Sequence, residues 1–379
     1  MQRLNWGLIG GGEGSQIGFV HRAGAEIDRL FELRAGAFDV NPAKSVEFGN
    51  SLGLDPTRVQ GTWRDLLLSE KDRPDRLDLV TVATPNATHF EISKAFLEAG
   101  FNVFCEKPLT TTLDEARRLE VLANERGLIC AVNFGYSGYP MVRHMRSLVS
   151  QGVLGAIRLV KAEFAAGFLA DSSFDDNPRV RWRFDPEQAG NSLVMADMGC
   201  HAMHLVTFVT GQKVRSLSAD LATGVEGRGL EDDALVAFRT TEGAIGRLWV
   251  SGLATGRTHG LTLQIFGEQG GLSWEQEQPE QLNFTPMGKA SRILERGMDG
   301  ISKEAAAANR ITVGHPEGMV LAFANLYRDI ASEIRARCTR SRSADPVLFP
   351  DVSDGRHMVE VVCAAVESSR NAGAWQSLE

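Results

Sequence analysis

The sequence predicts a doubly wound α/β domain built on a parallel sheet, followed by an α+β domain whose open sheet is mostly antiparallel. Three observations carry that expectation. A glycine-rich loop follows the first apolar run; short apolar runs alternate with helical patterns up to about residue 135; and strand patterns then follow one another with little helix between them. The boundary is placed between a domain of residues 1–135 and one of 136–379.

In the first domain the expected strands are Leu4–Ile9, Leu33–Phe38, Leu79–Ala83, Val103–Cys105 and Leu128–Val132. They are nearly all apolar, as strands of a parallel sheet covered on both faces should be. Thr88 followed by Glu91 predicts a capping box. Its helix carries the stripe Ile92, Ala95, Phe96, Ala99 and stops at Gly100. Thr112 with Glu115 repeats the device, and that helix ends at Gly127.

In the second domain the strand patterns are Ile157–Ala166, Ser216–Ala222, Ala234–Arg239, Ile245–Ser251, Leu261–Phe266 and Leu282–Phe284. Glu242-Gly243 and Gln269-Gly270-Gly271 sit at hairpin turns. Helices near 201–210 and 318–337 are expected to cover one face of this sheet. A final helix over Asp354–Asn371 is able to pack back on the first domain, and the charged stretch Arg335–Arg342 reads as a solvated loop.

Composition narrows the function. Hydrophobic residues make up 43% of 379, enough for two cores, and 40 Lys and Arg against 48 Asp and Glu leave a formal charge of −8. With no basic tract there is no electrostatic footprint for nucleic acid or an anionic membrane. Cys105, Cys130, Cys200, Cys338 and Cys363 form no C-x-x-C pair and suggest reduced thiols in a cytoplasm. No apolar run is long enough to span a membrane, and Met1–Trp6 lacks the pattern of a signal peptide. No His, Cys and carboxylate group has zinc-site spacing, so no metal is expected.

Gly10-Gly11-Gly12-Glu13-Gly14-Ser15-Gln16-Ile17-Gly18 follows the first strand and opens a helix. Glycines let backbone approach a pyrophosphate whose charge the N–H groups of the helix start stabilise. Gly10, Gly12, Ser15, Gln16 and Ile17 are therefore expected to line a dinucleotide. The loop carries roughly three residues more than the minimal fingerprint requires. Asp39, ending the second strand, supplies a carboxylate for the ribose hydroxyls and would repel a 2′-phosphate, so NAD is favoured over NADP.

Three further phrases carry a resemblance: Thr84-Pro85-Asn86-Ala87-Thr88-His89, Cys105-Glu106-Lys107-Pro108-Leu109, and Ala196-Asp197-Met198-Gly199-Cys200-His201. In order and spacing they resemble the Gfo/Idh/MocA oxidoreductase family, which includes inositol and levoglucosan dehydrogenases and glucose–fructose oxidoreductase. The resemblance covers essentially the whole chain. It implies an N-terminal Rossmann domain and homodimers or homotetramers built through the C-terminal sheet. It also implies a catalytic lysine at Lys107 with a cis Lys107–Pro108 bond, and catalytic partners at Asp197 and His201. Thr84, Pro85, Asn86 and His89 match the loop passing the nicotinamide ribose, and Glu106 matches the acid beside the cofactor. Asn133 is grouped with these cofactor residues, as are Trp182 and Arg183. Tyr136 and His315, the latter within Gly314-His315-Pro316-Glu317-Gly318, fall where substrate contacts are expected.

The chemistry agrees with those residue types. Oxidising a secondary alcohol requires a base for the hydroxyl proton, and histidine titrates near operating pH. Asp197 lies four residues before His201, on the same helical face, and Lys107 offers a positive charge to a developing alkoxide. His204 is a rival base, but its neighbours Met203, Leu205 and Val206 suggest packing. His21 and His144 show no partner pattern and default to structural roles. Cys200 reads as small-residue packing. The leading expectation is an NAD-dependent dehydrogenase of a sugar, sugar derivative or cyclitol. Alternatives are glycoside 3-oxidation or hydrolysis with a recycled cofactor, and a sensor that only binds the dinucleotide. The segment Ala165-Ala166-Gly167-Phe168 is less polar than the Gln- or Trp-bearing versions expected in relatives, so inositol or levoglucosan specificity is not carried over directly.

Overall fold

The computed structural model describes residues 2–177, 180–339 and 347–379. Two compact units emerge: Met1–Gly138 with Met319–Arg356, and Tyr139–Gly318 with His357–Glu379. The chain opens with β1 (Leu4–Gly10), α1 (Gln16–Glu26), β2 (Phe31–Ala37), α2 (Pro42–Ser51) and α3 (Trp63–Glu70). It continues through β3 (Leu79–Ala83), α4 (His89–Glu98), β4 (Asn102–Cys105), α5 (Leu113–Arg126) and β5 (Cys130–Val132). Next come α6 (Pro140–Ser150), β6 (Ile157–Ala165), α7 (Pro186–Ala189), α8 (Cys200–Thr210), β7 (Val214–Ala222) and β8 (Asp233–Thr240). β9 (Ile245–Ser251), β10 (Leu261–Gly267), β11 (Gly270–Glu275), β12 (Gln281–Pro286), β13 (Arg292–Glu295) and α9 (Lys303–Ala308) follow. The chain closes with α10 (Met319–Cys338), α11 (Val352–Arg370) and β14 (Gln376–Ser377).

The first unit holds a five-stranded parallel sheet in the order β2-β1-β3-β4-β5. The chain runs outward from β1 to β2, then crosses back to β3. This reversal makes the carboxyl ends of β1 and β3 the switch point, where open α/β sheets bind ligands. Gly10 pairs with Ala83 there. The second unit holds nine strands in the order β13-β12-β11-β10-β6-β9-β8-β7-β14, antiparallel except for β6 with β9. β11, β13 and β14 were not expected from the sequence; β11 begins in the Gly270-Gly271 pair expected only as a turn.

One expectation is corrected outright. The helix at 318–337 belongs to the first unit rather than covering the second sheet. Leu326, Tyr327, Ile330, Ala331 and Ile334 of α10 share a core with Trp6, Leu8, Phe31, Leu33 and Phe104. Gly24 on α1 permits the approach, because a Cβ there would lie 3.0 Å from the Phe323 Cβ. An apolar stripe states that a helix is buried, not which sheet it covers. The same helix runs through Cys338, so the loop expected from Arg335 begins later; Arg340–Arg342 lie outside the described residues. Among the described residues, no helix is long and apolar enough to cross a membrane.

The capping devices differ in outcome. Thr112 accepts the Glu115 N–H as expected, and Gly127 ends α5 in the left-handed region at φ +62°. Thr88 makes no side-chain cap; its hydroxyl donates to the Pro85 carbonyl and pairs with the Thr84 hydroxyl instead. Within α8, His204 is 1% exposed and its ring stacks on Phe208. Burial, then the neighbouring Arg146 guanidinium and the His357 ring, push its pKa down to about 3. The unfolded chain, with an ordinary histidine near 6.5, therefore binds a proton that the folded protein refuses between those values. Stability should fall with falling pH through this window, by up to about 1.4 kcal/mol per pH unit from this group. Urea titrations of the protein and of His204→Leu check it: the variant should lose that much of the slope between pH 6.5 and 5, and parallel slopes would contradict it.

Candidate active site

The glycine loop is held by backbone contacts that leave no room for side chains. A Cβ on Gly10 would sit 2.3 Å from the Ala83 carbonyl oxygen, and one on Gly12 would sit 2.6 Å from that of Phe38. The loop thus touches the ends of both β3 and β2. Gly10, Gly11 and Gly14 have φ of +77°, +65° and +71°, where a side chain is strained. Gly18 keeps the close helix–strand contact despite the lengthened loop: its Cβ would lie 2.0 Å from the Gly11 oxygen. Ser15 caps α1 by accepting the Gly18 N–H at 3.1 Å, while Gln16 opens the helix with Ile17 behind it. From α1, Arg22 donates to the Gly11 carbonyl at 2.7 Å and clamps the loop. Asp39 is half-buried just past β2, and its Oδ1 accepts the Asn41 N–H at 2.8 Å.

At the end of β3, Thr84-Pro85-Asn86 leads into α4. His89 is fully buried, with Nδ1 2.8 Å from the Pro108 carbonyl and Nε2 2.8 Å from that of Thr84. It staples the Thr84 loop to the Lys107–Pro108 turn, so its ring nitrogens are spent on backbone rather than open to a cofactor. Burial pushes its pKa down, opposed by those two carbonyls. The Lys107–Pro108 bond is cis, as the resemblance implied, and Lys107 is half-buried. Glu106 is buried and accepts from Asn133 Nδ2 and, at 3.2 Å, from the Lys107 N–H. Its Oε1 lies 2.9 Å from His21 Nε2. Burial alone would raise the Glu106 pKa; His21, Lys107 and Asn133 outweigh it and hold the carboxyl below its usual range. Tyr136 is buried in the turn Gly135–Gly138 that follows β5.

In the second unit the Asp–His phrase forms a π-helical turn, Met195–Gly199, running into α8. Such turns recur at functional sites. Asp197 lies within it and His201 in the first turn of α8; both are partly exposed, while His204 is buried. Burial removes His204 as a rival base. Arg183 Nε is 3.6 Å from Asp197 Oδ2, so the Trp182-Arg183 pair reaches the same turn. Glu231 anchors the turn from below. Its Oε1 accepts from Ser192 Oγ at 2.5 Å and from the N–H groups of Leu193 and Met195, both at 3.1 Å. Burial pushes the Glu231 pKa up, against those hydrogen bonds. His315 is exposed in a loop whose backbone Arg296 holds through the His315 carbonyl at 2.7 Å.

These residues suit a dinucleotide. The Gly10–Gly12 cradle admits phosphate oxygens to backbone N–H groups. Asn133 Oδ1 is buried and unpartnered beside Glu106, an acceptor fit for a carboxamide N–H. Among the described residues, no group of His, Cys, Asp and Glu is arranged to hold a metal. His21, Arg22, Tyr327 and Glu231 were not anticipated as site residues. Only His21 left a trace, as a polar residue between Gly18 and Ala25 on the buried stripe of α1.

Residues 4–134 match the NAD-binding Rossmann fold of the GFO/IDH/MocA oxidoreductase family, and 142–273 match its C-terminal domain. The Bacillus subtilis oxidoreductase YfiI is 34% identical over 98% of this chain and 96% of its own. The levoglucosan dehydrogenase of Pseudarthrobacter phenanthrenivorans is 27% identical over 74% and 76% of the two chains. An inositol dehydrogenase homolog from Azotobacter vinelandii, solved with NAD+, superposes with a TM-score of 0.96 at 37% identity, covering 100% of this chain and 98% of that one. With its two domains matched in order and a cradle built for NAD, the chain belongs to the Gfo/Idh/MocA oxidoreductase family.

Proposed function

We propose that the protein is an NAD-dependent dehydrogenase that oxidises a secondary alcohol of a sugar, sugar derivative or cyclitol. The observation that carries the reading is Lys107, a half-buried amine on the turn beyond β4, braced by Glu106 beside the open acceptor of Asn133. The Azotobacter vinelandii homolog, also solved with NADH and myo-inositol, supports the substrate class. Bound nicotinamide supplies the hydride acceptor. Lys107 donates to the substrate oxygen and stabilises the alkoxide as it forms. His201 takes the hydroxyl proton, and Asp197, itself steered by Arg183, orients the alcohol. Asp39 holds the adenosine ribose through the carboxylate oxygen that Asn41 leaves open.

The solvent face of the second sheet supports self-association. Ile245, Leu159 and Phe266 lie directly across from one another on β9, β6 and β10, and are 41%, 36% and 40% exposed. Such a row marks an interface between copies of this chain. Light scattering should give a dimer or tetramer mass that Phe266→Glu reduces; a monomeric parent would end this proposal.

With NAD and a panel of polyols, Lys107→Ala should lower turnover by about two to three orders of magnitude and His201→Ala by about two to four, while NAD still binds. Parental rates in either variant would reject its role, and rates followed without net NADH would favour a recycled cofactor. Asp39→Ala should weaken NAD binding by about 1–3 kcal/mol and NADP binding by less. Equal losses measured by calorimetry would remove the ribose assignment.

A further inference from the structure

Behind Glu106 lies a line of polar groups inside the first unit that the reaction does not use. His21 Nδ1 is 2.9 Å from the Tyr327 hydroxyl, which is 3.0 Å from Thr81 Oγ1; Thr81 in turn accepts the Trp6 indole N–H at 2.9 Å. Trp6, Thr81 and His21 are 0% exposed. The His21 ring is boxed edge-on by Phe104, Phe323 and Tyr327 at 5.6, 5.3 and 5.9 Å between centroids. Four elements, β1, β3, α1 and α10, each supply one member.

Counting hydrogens gives the line a direction. An indole only donates, so the Thr81 oxygen accepts from Trp6 and its own hydrogen goes to Tyr327. The Tyr327 hydrogen then goes to His21 Nδ1, which must be bare. The ring's N–H therefore sits on Nε2 and donates to Glu106, an anion that only accepts. Every hydrogen is used once. Were Nδ1 to carry a hydrogen, Tyr327 would turn to Thr81, and the Thr81 hydroxyl would lose its acceptor in a site without water access, a cost buried groups avoid. Because the line starts at a buried, non-titrating indole, it conducts no proton outward.

We infer that His21 is a positioning residue: Trp6, Thr81 and Tyr327 fix its tautomer, and through Nε2 it locks the Glu106 carboxylate that braces the Lys107 backbone. Its effect on turnover rests on the proposed role of Lys107. Tyr327 gives α10 a part in this site, although it lies more than 200 residues beyond Lys107 in the chain.

Nitrogen-15 NMR of the full chain labelled at histidine reads the tautomer directly, with His21 signals assigned by their loss in His21→Gln. The parent should show the Nε2–H form, and Tyr327→Phe should shift the His21 Nδ1 resonance. In turnover, His21→Leu should lose about tenfold or more in kcat, the scale of one buried hydrogen bond to a charged group. His21→Gln, whose amide can accept from Tyr327 and donate to Glu106, should restore most of it. An Nδ1–H tautomer in the parent overturns the inference, as do Leu and Gln variants with equal rates. If the parent reduces no NAD with any polyol, the dehydrogenase reading fails while the tautomer remains decided by NMR.

Discussion

A carboxylate buried at the end of a parallel sheet has to be surrounded by donors, and Glu106 imposes that demand on the first unit. Isolated in an apolar interior its charge would cost several kcal/mol, so it persists only where hydrogen bonds converge on it. Asn133 comes from the end of β5, the Lys107 N–H from its own turn, and His21 from α1. His21 is met in turn by Tyr327, which α10 brings to this unit from far along the chain. The apolar packing of α10 and the brace on the Lys107 backbone thus meet at one buried charge.

The second unit repeats the device with Glu231. A buried carboxylate again collects N–H groups, here at the start of the helical stretch carrying Asp197 and His201. The favourable interaction of an anion with the exposed N–H groups of a helix start explains the position. The segment bearing Lys107 and the segment bearing Asp197 and His201 are thus each anchored by a buried carboxylate. The π turn between Ser192 and α8 is held from one side by Glu231 and reached from the other by Arg183.

How much of this was legible depended on the range of the interaction. Strand and helix alternation, the glycine cradle and the Thr112 cap are local, and each appears in the structure near its expected place. The Thr88 cap was equally local in pattern, yet Thr84 four residues earlier competed for its hydroxyl and won. Short strands such as β13 and β14 have too little pattern to read, since pairing partners rather than periodicity create them. His21 shows no partner pattern and defaults to a structural role in the sequence because its partners lie 85 and 306 residues away. Motif spacing singles out Lys107, Asp197 and His201; it has no means of finding the distant residues that hold their backbone.

Hydride transfer itself is the most direct test of the account. A polyol or cyclitol that reduces NAD, prepared with deuterium on the carbon that bears the oxidised hydroxyl, should deliver its label to the reduced nicotinamide. The account predicts one deuterium per NADH formed, with net accumulation of NADH and of the corresponding ketone. A label that stays on the sugar, or that reaches the cofactor and returns to product with no net NADH, would contradict a dehydrogenase built on this site.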